Sequence, residues 1–166
     1  MAASSAQDLV ERYLAAYKAL DLPAMEACMD PSFTFSDPAF PSLDAAHAKG
    51  MFAMFVTNKD TNKMQVEYKD VKKGANDLTY TATYTVQYLF AGRPVLNTIK
   101  TTLTISPTTN LLASQVDEFP FWAWSRQALG LPGLFLGWSG YLQNQVQTNA
   151  GAKLEKFLAK SQQSQS

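Results

Sequence analysis

Residues 78–90, LTYTATYTVQYLF, are the most regular of the strand-like stretches in the chain. Leu78, Tyr80, Ala82, Tyr84, Val86, Tyr88 and Phe90 share one side of an extended backbone, and the other side is mostly threonine. A side-chain period of two with one apolar side predicts a long strand, buried on one face and wet on the other. Lys73-Gly74-Ala75-Asn76-Asp77 precedes it and Gly92-Arg93-Pro94 follows it, turn chemistry that joins antiparallel neighbours. Flanking strands are expected over 64–71 and 95–105, and a last strand over 111–117 after the turn 106–110. Four consecutive strands joined by turns make a meander.

Toward the N-terminus the apolar period changes to that of a helix. Leu9, Val10, Tyr13, Leu14, Tyr17 and Leu20 recur at helical spacing behind a Ser4 or Ser5 cap, so a first helix places Tyr13 and Tyr17 on its buried stripe. Asp21 and Pro23 suit the amide end of a short second helix that runs to Met29 and is stopped by Asp30 and Pro31. Phe33 and Phe35 then alternate with Thr34 and Ser36, a half-buried strand over 32–37 that Pro38 closes by removing a ladder donor. A third helix is expected over 42–56, with Ala48, Phe52 and Phe55 on one face. Past the last strand an apolar segment leads into a helix marked by Val146, Ala150, Leu154 and Phe157 or Leu158. Helices gathered against one curved, predominantly antiparallel sheet define an α+β fold. Residues 1–160 read as one domain, and the terminal SQQSQS, 161–166, as a disordered tail.

Composition narrows the function. Fourteen Lys plus Arg offset fourteen Asp plus Glu, and no basic stripe accompanies the aromatics, which speaks against nucleic acid as a partner. Charged residues are 17 % against ~25 % in ordinary soluble domains, while aromatics reach 12 %, a balance that suits a large core, an apolar cavity or a buried interface. One cysteine, Cys28, and one histidine, His47, leave no disulfide and no Cys/His metal set within a chain, and no metal or cofactor is expected. No glycine-rich phosphate cradle is present. The N-terminus lacks a basic and an apolar signal region, and no run of ~18 apolar residues could span a bilayer, so a cytoplasmic location is expected.

The element order and residues 8–38, DLVERYLAAYKALDLPAMEACMDPSFTFSDP, resemble the nuclear transport factor 2-like superfamily, and the opening is most similar to its ketosteroid isomerase branch. The resemblance covers roughly residues 6–119 and implies a cone-shaped sheet around an interior pocket. In that branch a tyrosine of the first helix donates to the substrate oxygen, and the aspartate of an Asp-Pro pair shuttles the proton. Tyr13 and Asp37 fall on those positions. Thr101 falls where the isomerases carry a second, protonated acid, a departure from the steroid pattern. Residues 115–138, QVDEFPFWAWSRQALGLPGLFLGW, resemble the C-terminal part of uncharacterised bacterial SnoaL-like proteins.

The residues themselves supply a chemical reading beside this one. Asp37 shares strand parity with Phe33 and Phe35, so the pleat that buries those rings should aim its carboxylate into the same apolar interior, where desolvation would raise its pKa. The plainer alternative is an Asp-Pro turn capped by that side chain. Tyr13 is either an oxyanion donor or core packing. Asp117, at the end of the last strand, is a second acid/base candidate or an exposed strand end, and Gln115 two residues earlier breaks the His-Asp pair found in some SnoaL-like proteins. His47 lies at the edge of its helix face, and no nucleophile elbow accompanies any serine.

These readings lead to a small cofactor-independent enzyme, isomerase-like or cyclase-like, acting by proton transfer on an apolar carbonyl compound. Asp37, Tyr13 and Asp117 are its candidate catalytic residues. Tyr17, Phe33, Phe35, Phe52, Phe55, Tyr84, Thr101, Phe119, Trp122 and Trp124 are expected to shape the pocket. The competing class is a noncatalytic binder of a small hydrophobic molecule or a dimerisation module, and a homodimer is expected. The uncharged stretch 127–152 admits four arrangements: lid, added core, dimer contact or membrane-surface contact.

Overall fold

The computed structural model describes residues 3–165. Helix α1, Ala3–Lys18, buries Leu9, Val10, Tyr13, Leu14 and Tyr17 along the expected stripe, while Ser4 and Ser5 lie inside the helix and not ahead of it. Leu20, at φ 54°, turns the chain into α2, Leu22–Glu26, whose cap Asp21 accepts from the Ala24 N–H at 3.1 Å. Strand β1, Met29–Ser36, begins three residues earlier than expected. Asp30 does not stop a helix. It accepts from the Ser32 N–H at 2.8 Å and from the Ser32 and Thr109 hydroxyls, tying the strand start to the 106–110 turn and holding its carboxyl down at about 2.

Asp44 caps α3, Ala45–Thr57, and a single-turn α4, Lys59–Asn62, follows. The meander then runs as β2, Gln65–Lys73, β3, Thr79–Phe90, β4, Arg93–Ile105, and β5, Leu112–Glu118. Along β3 and β4 the alternation holds, with Tyr80, Ala82, Tyr84 and Val86 inward opposite Ile99 and Leu103.

The sheet order is β1-β5-β4-β3-β2, and β1 lies parallel to β5 while all other pairs are antiparallel. The sheet is predominantly antiparallel, as expected, with one parallel pair at the β1 edge. A parallel neighbour needs a long crossover, and here three strands and two helices intervene before β5 returns beside β1. Register shifts at Lys69/Lys72 and Thr104/Ile105 add the local twist by which the sheet curls around α1 and α3.

The apolar segment after β5 forms two short helices, α5, Phe121–Leu129, and α6, Leu131–Leu136. Their corner depends on Gly133, where an added Cβ would strike the Ser125 carbonyl. This segment divides in two: Trp124 and Ala128 pack inward on Val95, whereas Phe135 and Trp138 are 65 % and 77 % exposed.

Helix α7, Gly140–Ser164, lies over α3, with Leu154 buried and Leu158 close against Gly50. It continues through 161–164, the stretch read from the sequence as a tail, with the Ser161 and Ser164 hydroxyls donating to the Phe157 and Lys160 carbonyls. Ser166 lies outside the described residues. No helix among the described residues is long and apolar enough to cross a membrane.

Candidate functional site

Asp37 stands one residue past β1, where the chain leaves the sheet. Its Oδ1 accepts from the Ala39 N–H at 2.7 Å and the Phe40 N–H at 2.6 Å, and its own N–H donates to the Phe40 carbonyl at 2.8 Å. The turn is tied back to the sheet by the Phe35–Leu43 bridge and to α7 by Gln143 and Gln147, whose side-chain amides donate to the Pro38 carbonyl at 3.3 and 3.0 Å. One oxygen of Asp37 caps the turn, as in the plainer of the two sequence alternatives, and the other, Oδ2, has no partner among the described residues. Burial pushes the carboxyl up to about 7, with the nearby Asp117 charge adding to the rise and the two N–H donors opposing it.

Asp117 ends the inward face of β5, and it is 3 % exposed, not the open strand end that was the alternative. The Tyr84 hydroxyl donates to its Oδ2, and the Gln115 amide donates to both oxygens, at 3.0 and 3.1 Å. Gln115 in turn accepts from the Tyr13 hydroxyl at 2.5 Å. Burial raises the carboxyl to about 6, against the pull of the Tyr84 and Thr101 hydroxyls and the Gln115 amide. Thr101, Asp117's partner across the ladder, is close enough to favour its ionised form, yet its Oγ1 has no partner of normal hydrogen-bond geometry.

Both carboxylates border one cavity of about 790 Å³, a size suited to a small organic molecule. Its wall is mostly apolar: Phe35 from β1, Met51, Phe52 and Phe55 from α3, Val86 and Ile99 from the sheet, and Phe119, Leu129 and Val146 from the C-terminal elements. Tyr17 closes one side, in edge contact with Phe52 at 5.5 Å and with Tyr84 at 5.4 Å. Of the residues expected at the site, Asp37, Asp117, Tyr17, Phe35, Phe52, Phe55, Tyr84, Phe119 and Trp124 line this cavity.

Four do not border it. Tyr13 is wholly buried and points its hydroxyl at Gln115, which makes it a support for Asp117. Phe33 lies two residues deeper along β1 and belongs to the closed core. Thr101 is covered at the β4–β5 ladder. Trp122, two positions before Trp124 on α5, faces the other way because a two-residue step rotates a helix by about 200°; its N–H donates to the Leu134 carbonyl at 3.1 Å, and Arg126 covers its ring at 4.7 Å. His47 is also remote, held at the surface between Asp44 at 2.7 Å and Glu155 at 2.8 Å.

Known structures share this architecture. An NTF2-like protein of unknown function from Burkholderia pseudomallei matches with a TM-score of 0.61 at 14 % identity, covering 78 % of this chain and 100 % of the other. A protein of unknown function with a cystatin-like fold from Methylobium petroleophilum matches at 0.59 and 13 % identity, over 79 % and 83 %. The chain has a nuclear transport factor 2-like fold. A candidate polyketide cyclase from Xanthomonas campestris shares it, at a TM-score of 0.59 and 15 % identity over 75 % of this chain and 97 % of that one. No family model and no curated protein matches the chain.

Within this nuclear transport factor 2-like fold, the sequence reading passed over Asn97 and the Gln143/Gln147 pair. Asn97 had a signal: it sits between Val95 and Ile99 in the inward register of β4, a polar residue where the strand pattern calls for an apolar one. The two glutamines had none, since only the docking of α7 brings them to Pro38. Among the described residues no three His, Cys, Asp or Glu side chains gather as a metal set.

Proposed function

We propose that this protein is a proton-transfer enzyme that isomerises, cyclises or dehydrates an apolar carbonyl compound, with Asp37 as the base. One observation carries the reading: Asp37 has one oxygen fixed by two backbone N–H groups and the other unpartnered on the wall of an apolar cavity. A carboxyl raised to about 7 by burial is matched to removing a proton next to a carbonyl at neutral pH, and once protonated it can return that proton to a second position. Asp117 is the second carboxyl. Held by Gln115 and Tyr84, it keeps a negative charge near Asp37 that favours the protonated form of the base. The candidate polyketide cyclase among the fold neighbours is consistent with such chemistry.

The test is a panel of apolar enolisable ketones and polyketide-like diketones, assayed with the native protein and with Asp37→Asn. Turnover by the native chain and its loss, by ~100-fold or more, in a folded Asp37→Asn protein is expected for a general base. Equal turnover by both overturns the assignment.

The cavity's apolar wall also favours a second reading, a carrier that binds without reacting. Solvent extraction and mass spectrometry of the purified protein separate the two, since a carrier retains its ligand equally well with Asp37 or Asn at position 37.

A further inference from the structure

Removing a proton beside a carbonyl leaves negative charge on the carbonyl oxygen, and that oxygen needs donors aimed at it. Asn149, Lys153 and Lys156 border the cavity from α7, with the Lys153 ammonium over the Phe90 ring at 5.4 Å; beyond them the wall offers few. The Tyr84 proton is committed to Asp117, and the Tyr17 hydroxyl lies against Tyr84. Asn58 donates to the Met54 carbonyl at 2.7 Å and Asn62 to the Phe55 carbonyl at 3.2 Å. Tyr88 and Asn97 differ. The Tyr88 oxygen accepts from the Trp124 indole N–H at 2.7 Å, and its own proton has no acceptor among the described residues. Asn97 is 7 % exposed, lines the cavity, and its amide makes no hydrogen bond among the described residues.

The two are neighbours. In the β3–β4 ladder Tyr88 pairs with Val95 and Val86 with Asn97, which makes Tyr88 and Asn97 a diagonal pair on the inward face, on the order of 7 Å apart at the backbone. Trp124 fixes the phenol. It is wedged by Phe90 and Phe121, each with ring centroids 5.5 Å away, and its N–H occupies one lone pair of the Tyr88 oxygen, so the O–H turns away from α5. A phenol that accepts a hydrogen bond is also a stronger donor through its own.

We propose that the Tyr88 hydroxyl and the Asn97 side-chain amide together form the subsite for the carbonyl oxygen of the compound in the cavity, with Trp124 the positioning residue for Tyr88. This rests on the proton-transfer reading and names its missing half. The ligand is an apolar body with one carbonyl or enolic oxygen, seated on Tyr88 and Asn97, its acidic carbon toward Asp37. Tyr13 is excluded from that role here by its bond to Gln115.

The probes are 4-nitrophenolate, which mimics the oxyanion, and 4-nitrotoluene, which has its shape with a methyl group in place of the phenolate oxygen. Binding is titrated by absorbance in native and Asp37→Asn backgrounds, the latter lacking the carboxylate that repels an anion. Tyr88→Phe and Asn97→Leu should each weaken 4-nitrophenolate by ~10- to 100-fold, the loss expected for a hydrogen bond to a charged oxygen, and leave 4-nitrotoluene unchanged. Trp124→Phe should shift the absorption band of bound phenolate toward that seen with Tyr88→Phe. Unchanged phenolate binding in both donor variants overturns the proposal, as does an equal loss of both probes, which would mean the residues only shape the wall. Failure of the base reads differently: turnover that survives Asp37→Asn while Tyr88→Phe abolishes it removes Asp37 and leaves the donor pair standing.

Discussion

Tyr84 and Asp117 stand on strands that do not touch, and the Tyr84 hydroxyl reaches across β4 to donate to Asp117 Oδ2. Thr101 lies in the strand between them, opposite Asp117 in one ladder and opposite Ala82 in the other. With Tyr13 and Gln115 on the far side, the bond completes a buried chain, Tyr13 to Gln115 to Asp117, met by Tyr84. Such a chain fixes where a second carboxylate's charge sits relative to Asp37.

That charge should be visible in the pH profile. Asp37 must be ionised to act as a base, so kcat/KM is expected to rise with pH through about 7. Because the Asp117 charge contributes to the raised value, Asp117→Asn should move the midpoint to lower pH. Steady-state rates from ~pH 5 to ~9 check both. A midpoint that stays put in Asp117→Asn disproves the coupling.

Stability should run the other way. Both carboxyls are raised in the folded chain, Asp37 to about 7 and Asp117 to about 6, so the native state binds more protons than the unfolded one. Their stabilising effect is complete below the unfolded value of ~3.9 and is lost as pH rises through the folded values, costing on the order of 4 kcal/mol for Asp37 at most. Urea melts at a series of pH values should show stability falling between about pH 4 and pH 7. Asp37→Asn should flatten most of that slope and be the more stable protein at alkaline pH.

Tyr13→Phe separates support from catalysis. It leaves the Gln115 Oε1 acceptor buried without its donor, for a loss of about 1–3 kcal/mol in denaturant melts. Turnover should fall less than ~10-fold, since Tyr13 reaches the cavity only through Gln115 and Asp117. A loss of ~1,000-fold with full stability would instead mark Tyr13 as a direct oxyanion donor.

Gly133→Ala tests the α5–α6 corner. The new methyl would meet the Ser125 backbone, which has no flexible end to yield, so α5 must shift and Trp124 with it. Weaker 4-nitrotoluene binding and faster proteolysis around 121–137 are expected. At Gly140 an added Cβ meets nothing within 4 Å, and Gly140→Ala should behave as native.

Much of this was legible before any coordinates. The period-two pattern of 78–90 gave the sheet, and strand parity carried Asp37 inward beside Phe35. Parity says which face a residue joins but not how far along that face the cavity begins, and Phe33, on the same face, is core. The same limit applied to Trp122 and Trp124, because the phase of α5 is set by packing on Val95 and Phe90 that no local pattern reveals. The parallel β1–β5 pair joins residues some 80 positions apart, beyond the reach of any turn motif.

Trp124, Leu129, Val146 and Lys153 line the cavity from elements that follow the sheet, while the carboxylates stand at the ends of β1 and β5. On the proposed reading, one part of the wall that meets the ligand is therefore carried by elements separate from those that carry the two carboxylates. Exchange of the elements after β5 could re-tailor which molecule is admitted while leaving both carboxylates in place, a modularity that would let one scaffold diversify its substrates faster than its chemistry.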